Sequence, residues 1–158
     1  LQYHVLVDLP NAMGVTPLMA AAGLGQSDNP TRGRYKTEAE GIDSVRLLLA
    51  AGANINARAG NPYSPQANSP GAKGLARRTS YVGQIAMHGA AKKGWTKMVA
   101  FLAKNGSELQ VVDAQGKTPL DLAEGNYKPA FLESPPEPFD DTVVLLKKLI
   151  SEKVAERL

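Results

Sequence analysis

The chain has 158 residues, of which 43% are hydrophobic and 21% are charged, and its formal net charge is only +3. A chain of this length can bury a core, and so small a net charge does not by itself require a nucleic acid or an anionic membrane as partner. The lack of cysteine excludes disulfides, thiolate nucleophiles and zinc sites built on sulfur, and no apolar run approaches the roughly 18 residues of a membrane span.

The first ten residues, LQYHVLVDLP, lack the basic region and the long apolar stretch of a signal peptide. We therefore expect a soluble chain, and the sequence leaves its compartment open. Because residue 1 is leucine, we interpret the chain either as a processed product or as part of a longer protein.

Three segments of the chain begin alike. GVTPLMAAAG begins at Gly14, GQIAMHGAAKKG begins at Gly83, and GKTPLDLAE begins at Gly116, which is 33 residues after Gly83. A fixed period of this size indicates a repeat architecture, in which each unit packs only on its neighbours.

The first copy is split by extra residues. From its opening glycine to its closing glycine, Gly14 to Gly52, there are 38 residues, against 23 from Gly83 to Gly106, so about 15 residues are inserted. From Gly52 to the next opening glycine there are 31 residues, against 10 from Gly106 to Gly116, which gives about 21 more. Together the two insertions account for the whole displacement of the second copy, so the register is self-consistent.

Short motifs inside these copies are similar to those of the ankyrin-repeat family, in the style of bacterial arrays with long loops. They are Thr16-Pro17-Leu18 with Ala21-Ala22, Met87-His88 with Ala90-Ala91, Thr118-Pro119-Leu120 with Ala123, and the Leu-Leu-Leu-x-x-Gly-Ala run from Leu47. The resemblance implies an all-α repeat solenoid of about three helix-turn-helix repeats with hairpin arms, preceded by an incomplete unit.

The resemblance and the spacing together divide a single domain, 1–158, into units. Residues 4–13 are predicted to form an incoming hairpin strand, and residues 14–58 a repeat with an insertion at about 24–40. Residues 59–80 are predicted to extend a hairpin tip, and residues 81–112 to form the uninterrupted repeat. The last repeat, 113–158, is predicted to carry an insertion at about 124–141 and a terminal helix.

Residues at the predicted helix ends fit this arrangement. Thr16 and Thr118 precede prolines and are predicted to cap inner helices, where a missing N–H has no helical partner. Ile85 stands where threonine is usual, so the middle inner helix is predicted to be capped less well. The resemblance implies that His88 joins a hydrogen-bond network between repeats. Asp140 and Asp141 are predicted to cap the last helix and to favour its dipole.

The resemblance places the functional surface on the concave side, where hairpin tips and inner helices face the same way. Met13, Val15 and Leu24 would then form an apolar patch, which is either a partner surface or a contact with a preceding repeat. Trp95 is interpreted either as an interface residue or as packing under an insertion. The predicted partner-binding residues are Tyr81, Gln84, Lys92, Lys93, Trp95, Met13, Val15, Leu24, Gln115 and Lys117.

The insertions differ in charge. The second holds Lys73, Arg77 and Arg78 with no acidic residue, whereas the third is acidic. The second is interpreted as a solvated loop, and the aromatic residues of the third, Tyr127, Phe131 and Phe139, predict packing against the inner helices. Because the first and third insertions flank the Trp95 turn, they are predicted to wall a pocket there.

We expect a protein-protein interaction module that is not an enzyme and needs no cofactor. One alternative is an accessory subunit of a larger stable hetero-assembly. An enzyme that acts on a small molecule through paired carboxylates is a weaker alternative, because prolines flank these residues and no supporting histidine or glycine-rich phosphate loop is present. Neither His4 nor His88 has a metal-ligand spacing to a second candidate ligand. Nucleic-acid binding through Lys73, Arg77 and Arg78 is also disfavoured. For the enzymatic alternative, the candidate catalytic residues are Glu133, Glu137, Asp140 and Asp141.

Overall fold

The computed structural model describes residues 6–11, 13–25, 36–60, 81–127 and 136–156. These described residues form six α-helices and no strand. The helices are α1 (Pro17–Ala21), α2 (Glu38–Ala50), α3 (Ala86–Lys92), α4 (Thr96–Lys104), α5 (Pro119–Ala123) and α6 (Asp140–Ala155). None of them is both long enough and apolar enough to cross a lipid bilayer.

The helices stack as three pairs. The inner helix of each pair packs on its outer helix, so that α1 contacts α2, α3 contacts α4 and α5 contacts α6. Along the stack α3 also contacts α1 and α5, while α4 contacts α2 and α6. This nearest-neighbour packing is that of an all-α repeat solenoid, as predicted.

One continuous core runs through the stack. Ala90 and Ala91 in α3 are fully buried, and their small side chains allow the neighbouring inner helices to approach closely. The outer helices contribute larger buried side chains, one at the centre of each: Val45, Val99 and Leu146. Small inner and large outer side chains together fill the space between layers.

Threonines begin two of the inner helices, as predicted. The Thr16 hydroxyl accepts a hydrogen bond from the Met19 N–H at 3.3 Å. The Thr118 hydroxyl accepts one from the Asp121 N–H at 3.2 Å, and the Asp121 carboxylate in turn accepts one from the Thr118 N–H at 2.8 Å. This reciprocal pair is a capping box, which satisfies two N–H groups at the start of α5.

The middle inner helix solves the same problem differently. Its N-cap residue, Ile85, has no side-chain oxygen, but its N–H donates to Nδ1 of His88 at 3.1 Å. Nε2 of His88 then carries the proton and lies 3.1 Å from the Lys117 carbonyl oxygen in the next repeat. The predicted role of His88 between repeats is therefore confirmed, and its ring supplies the cap that Ile85 lacks.

An arm precedes each inner helix in the chain and ends in a tight tip. The arms are residues 6–11, 52–60 and 106–113, and Gly52 and Gly106 begin the last two with a φ of +89° each, as a glycine C-cap requires. The strand predicted over 4–13 is not present in its described part, since residues 6–11 adopt turn and irregular backbone; residues 4 and 5 lie outside the described residues.

The second insertion begins later than predicted. Ala59 donates its N–H to the Gln84 carbonyl at 2.7 Å and accepts from the Gly83 N–H at 2.8 Å, as Asp113 does with Lys117 and Gly116 in the last tip. Ala59 therefore completes the regular tip, because the register that starts at Gly52 continues unbroken. The rest of that predicted insertion, residues 61–80, lies outside the described residues.

The other two insertions are also shorter than predicted. Helix α2 starts inside the predicted 24–40 segment, where the Thr37 hydroxyl and the Glu40 carboxylate form a capping box. Helix α6 starts at Asp140, and its N-cap residue is Phe139. The prediction that Asp140 and Asp141 cap this helix is wrong. Both lie in its first turn, where their negative charges interact favourably with the helix dipole, as predicted.

Candidate functional site

Three of the predicted surface residues are buried. Val15 and Leu24 are each 3% exposed, because they form a small second core with Met19 and Ala59. Gln84 is 7% exposed, and its Nε2 donates to the Asp113 carboxylate at 2.9 Å. The prediction that these three face a partner is wrong, since their side chains hold the tips against the helices.

The remaining predicted residues are accessible to different degrees. Met13 and Gln115 are exposed at the first and last tips. The others, Tyr81, Lys92, Lys93, Trp95 and Lys117, are half-buried.

One side chain at each tip occupies the same position, directly before the opening glycine. These side chains are Met13, Val82 and Gln115, which we call the tip row; Met13 is 42% exposed and Val82 52%. The second and third tips are joined by a hydrogen bond from the Ala114 N–H to the Val82 carbonyl at 2.9 Å. The row therefore lies on a fixed backbone and is apolar over its first two members.

The end of α3 and the turn after it carry three more of the predicted residues, Lys92, Lys93 and Trp95. Helices α1 and α5 end after five residues, at Ala21 and Ala123, whereas α3 has seven residues and ends at Lys92. Lys92 and Lys93 therefore lie between the two shorter inner helices. The Lys92 ammonium is 4.9 Å from the centre of the Tyr127 ring in the last repeat.

Trp95 packs against the first repeat. A Cβ atom built on Gly41 would lie 3.2 Å from the Trp95 ring, and one built on Gly23 would lie 3.4 Å from it and 3.0 Å from Lys93 Cγ. Because these two glycines leave room for the indole, part of its surface supports the interface between repeats. The other part remains accessible, so Trp95 combines a structural contact with an exposed edge.

Two aromatic residues at the ends of the third insertion complete this region. Phe139 lies over Gly94, and its N–H donates to the Ala123 carbonyl at 2.9 Å. Tyr127 contacts Lys92, so the predicted packing of the insertion on the inner helices is confirmed for both residues; Phe131 lies outside the described residues. We call the region the turn surface: Tyr81, Lys92, Lys93, Trp95, Tyr127 and Phe139.

Tyr81 connects the two regions. It directly precedes Val82 in the tip row, and its ring lies 3.7 Å from a Cβ atom built on Gly25 at the end of the first inner turn. The tip row and the turn surface therefore form one continuous face. Repeat-based reasoning identified the lysines and Trp95, but neither Tyr127 nor Phe139 was predicted as a site residue, because they belong to an insertion that no repeat template covers.

Titratable groups near this face have structural roles. Burial lowers the pKa of His88, and the hydrogen bond to the Lys117 carbonyl only partly opposes this effect. Hydrogen bonds from the side chain and backbone of Thr118 lower the pKa of Asp121. Burial also lowers the pKa of Lys36, against the attraction of Glu40.

The residues considered for other chemistries lie only partly within the described residues. Glu137, Asp140 and Asp141 are exposed, and Glu133 lies outside the described residues, as do Lys73, Arg77 and Arg78. Within the described ranges, no three histidine or carboxylate side chains are grouped to hold a metal ion. The predicted pocket walled by the first and third insertions also falls partly outside these ranges and remains a prediction.

Residues 13–59, which include α1, α2 and the arm that follows, match the family model described as Ankyrin repeat. A search of curated proteins finds no match to the chain.

Proposed function

We propose that the chain is an ankyrin-repeat protein, because residues 13–59 match the model of that family and the described helices stack as repeats. Repeats of this family are generally protein-protein interaction modules, and a solenoid presents its tips and inner helices as one extended surface. We propose that the chain binds a partner protein through the face that combines the tip row and the turn surface.

The observation that carries this proposal is the extra length of α3. Because it extends beyond its two neighbours, it places Lys92 over the Tyr127 ring of the last repeat, while Lys93 and Trp95 lie next to Gly23 of the first repeat. Lysine stems and aromatic rings offer apolar area beside a polar group, which is the composition of well-packed interface centres. The cluster therefore favours a partner that places an apolar group against the rings and an acidic group near the ammonium groups.

The tip row supports a broader contact. Met13 and Val82 add apolar area on a neighbouring part of the same face, and the Val82 carbonyl is fixed by a hydrogen bond from the Ala114 N–H of the next tip. Contiguous exposed apolar side chains on a rigid surface are typical of interaction sites. We propose the tip row as the rim of the interface and the turn surface as its centre.

The test is capture of native partners by the immobilised chain, followed by identification of the bound proteins. The double variant K92E/K93E should lose the proteins that the wild type retains, because it reverses two charges at the centre of the face. The matched control is K97E/K104E, which reverses two exposed lysines on α4. The variant V82D should also weaken capture, since it places a charge in the tip row.

The outcome that contradicts the proposal is the same set of captured proteins with K92E/K93E, V82D and the wild type. Thermal unfolding of each variant must show that it is folded, so that loss of capture reports on the surface. Loss of capture by K97E/K104E alone would place the interface on the outer helices instead.

A second candidate function is that of an accessory subunit packed permanently on another protein. The observation that favours it is the exposure of Leu6 and Leu9, 73% and 65%, on the first arm. The mass of the native particle tests this candidate, because a permanent subunit is recovered only in a complex. Isolation of the chain as a stable monomer from its native source would contradict it.

A further inference from the structure

The arms of the solenoid are joined by a repeated side-chain hydrogen bond. The Asp8 carboxylate in the first arm accepts from the Asn54 N–H of the second arm at 2.9 Å. The Asn56 side-chain oxygen in the second arm accepts from the Glu108 N–H of the third arm, also at 2.9 Å. Asp8 lies three residues before Asn11, and Asn56 lies three residues before Ala59; the carbonyl groups of Asn11 and Ala59 accept from the opening glycines Gly14 and Gly83, so both bonds belong to one register.

In the third arm this register position is Gln110, three residues before Asp113. Gln110 is exposed, and no further arm pairs with residues 106–113 anywhere in the described part of the chain. The register therefore places Gln110 at the position from which a side-chain oxygen would accept from the N–H of a following arm.

The last outer helix borders that place. Helices α2 and α4 end about one turn after their central buried valines, whereas α6 continues about one turn further past Leu146, to Ala155. Its last turns and the third arm enclose a groove of about 420 Å³. The groove is lined by residues 108–112 of the arm, by Ile150, Lys153 and Val154 of α6, and by Arg58.

The groove combines an apolar strip with a positive charge. Val112, Ile150 and Val154 form the apolar strip of the groove. Val112 is 51% exposed and Val154 50%, and Ile150 is half-buried. Arg58 and Lys153 contribute two positive charges against the single negative charge of Glu108. Arg58 is held in place by a 3.3 Å hydrogen bond from Nη1 to the Val112 carbonyl.

We propose that this groove binds an extended, acidic peptide segment of a partner protein, which occupies the position of a following arm. A backbone N–H of the segment donates to the Gln110 side chain, as the N–H groups of Asn54 and Glu108 do in the two arms. Its apolar side chains cover Val112 and Val154, and its carboxylate lies near Arg58 and Lys153. Binding of an extended segment alongside an exposed arm, with pockets for its side chains, is a common mode of peptide recognition.

The probe that tests this proposal is a synthetic peptide, GSELQVVD, which has the sequence of residues 106–113. In the folded chain this segment docks on the second arm through the hydrogen bond to Asn56, and it carries two acidic side chains. The free peptide should dock on the third arm in the same way, through a hydrogen bond to Gln110. Titration of the labelled protein with the peptide, followed by NMR, should shift the methyl signals of Val112, Ile150 and Val154 and the side-chain amide signal of Gln110.

Three variants make the test specific. V154D should weaken the peptide about tenfold, because it places a carboxylate against the apolar strip. V144D is the matched control, since Val144 is an exposed valine of the same helix, 67% accessible and outside the groove, and it should leave the affinity unchanged. Q110A should weaken the peptide about fivefold, the effect of one lost hydrogen bond.

The proposal is overturned if the peptide shifts none of the groove signals at about 5 mM, a concentration that detects even millimolar affinity. It is also overturned if a scrambled peptide of the same composition binds equally well, which would reduce the effect to charge attraction. A mass of the peptide-free protein that rises with concentration, and that V154D restores to the monomer value, would assign the groove to a second copy of this chain.

Discussion

The Glu38 carboxylate, in the first turn of α2, accepts a hydrogen bond from the Met98 N–H in α4 at 2.9 Å. The N-cap residue of α4 is Trp95, whose side chain forms no capping bond among the described residues, so the preceding repeat supplies the acceptor. The next interface has a related contact, 2.7 Å long, between the Thr96 hydroxyl and the Thr142 hydroxyl. The first residue of each outer helix thus bonds the third residue of the following one.

Removal of this acceptor should destabilise the stack. We expect E38A to lower the free energy of unfolding by about 1 kcal/mol, the usual effect of losing a helix cap, and E38Q to retain most of it through its amide oxygen. Urea denaturation measures both values. The control D43A removes the exposed ion pair with Arg46 and should change the free energy by less than about 0.5 kcal/mol. A loss in D43A as large as that in E38A would mean that the bond to Met98 is not responsible.

The repeat architecture was predictable because its determinants are local. The equal spacing of Gly83 and Gly116 sets the period, and the Thr-Pro pairs mark the starts of α1 and α5. His88 was also assigned correctly, since its position in the repeat fixes which neighbours it meets.

Features that depend on the insertions were predicted less well. The burial of Val15 and Leu24 results from a small core that Ala59 completes, and the sequence placed Ala59 in an insertion. The bond from Glu38 to Met98 requires α2 to start earlier than a regular repeat would start it. The missed signal for that start was a capping box, Thr37 to Glu40, directly after the irregular segment.

The candidate site also divides into residues of the regular repeats, which were predicted, and residues of an insertion, which were not. Lys92 and Lys93 were selected from their positions in a regular repeat, and Trp95 was selected because a tryptophan in the turn between helices is a candidate interface residue. Tyr127 and Phe139 reach the same surface from an insertion, and their placement depends on tertiary contacts with Lys92 and Gly94. No periodic pattern in the sequence encodes such contacts.

Protonation of His88 should make the protein less stable in mild acid. Burial lowers the pKa of His88 in the folded state, whereas the unfolded chain has the ordinary value of 6.5. The unfolded state therefore takes up the proton first, and the free energy of unfolding should fall as the pH drops through 6.5 toward the lower folded value. Denaturant titrations at a series of pH values between about 7.5 and 5 measure this slope.

The variant H88N is the reference for that measurement, because asparagine does not titrate in this range. Its stability should be lower throughout and should vary much less between the same pH values. An equal slope in H88N and the wild type would assign the pH dependence to other groups.

The capping box of α5 should be visible in the titration of Asp121. Hydrogen bonds from the Thr118 side chain and backbone lower the pKa of Asp121 below its ordinary value of 3.8. Its contribution to stability is therefore complete above 3.8 and is lost as the pH falls through the lower folded value. NMR titration of the Asp121 carboxyl should show the depressed pKa in the wild type and a rise toward 3.8 in T118A. The pKa of Asp121 should not move in T16A, which removes the matching cap of α1, and a rise there would argue against local hydrogen bonding as the cause.

Ser107 offers a way to stabilise the protein. Its side chain is 1% exposed, and its hydroxyl is buried without a hydrogen-bond partner among the described residues. Ala53 occupies the same position in the preceding arm, directly after the closing glycine, so an alanine fits this backbone. We expect S107A to raise the free energy of unfolding by about 1 kcal/mol, because it removes an unsatisfied buried polar group.

Urea denaturation measures the change. The control is S44A: the Ser44 hydroxyl donates to the Glu40 carbonyl at 2.7 Å, so its removal should bring no gain. A decrease in stability in S107A would show that the hydroxyl has a partner in the folded protein.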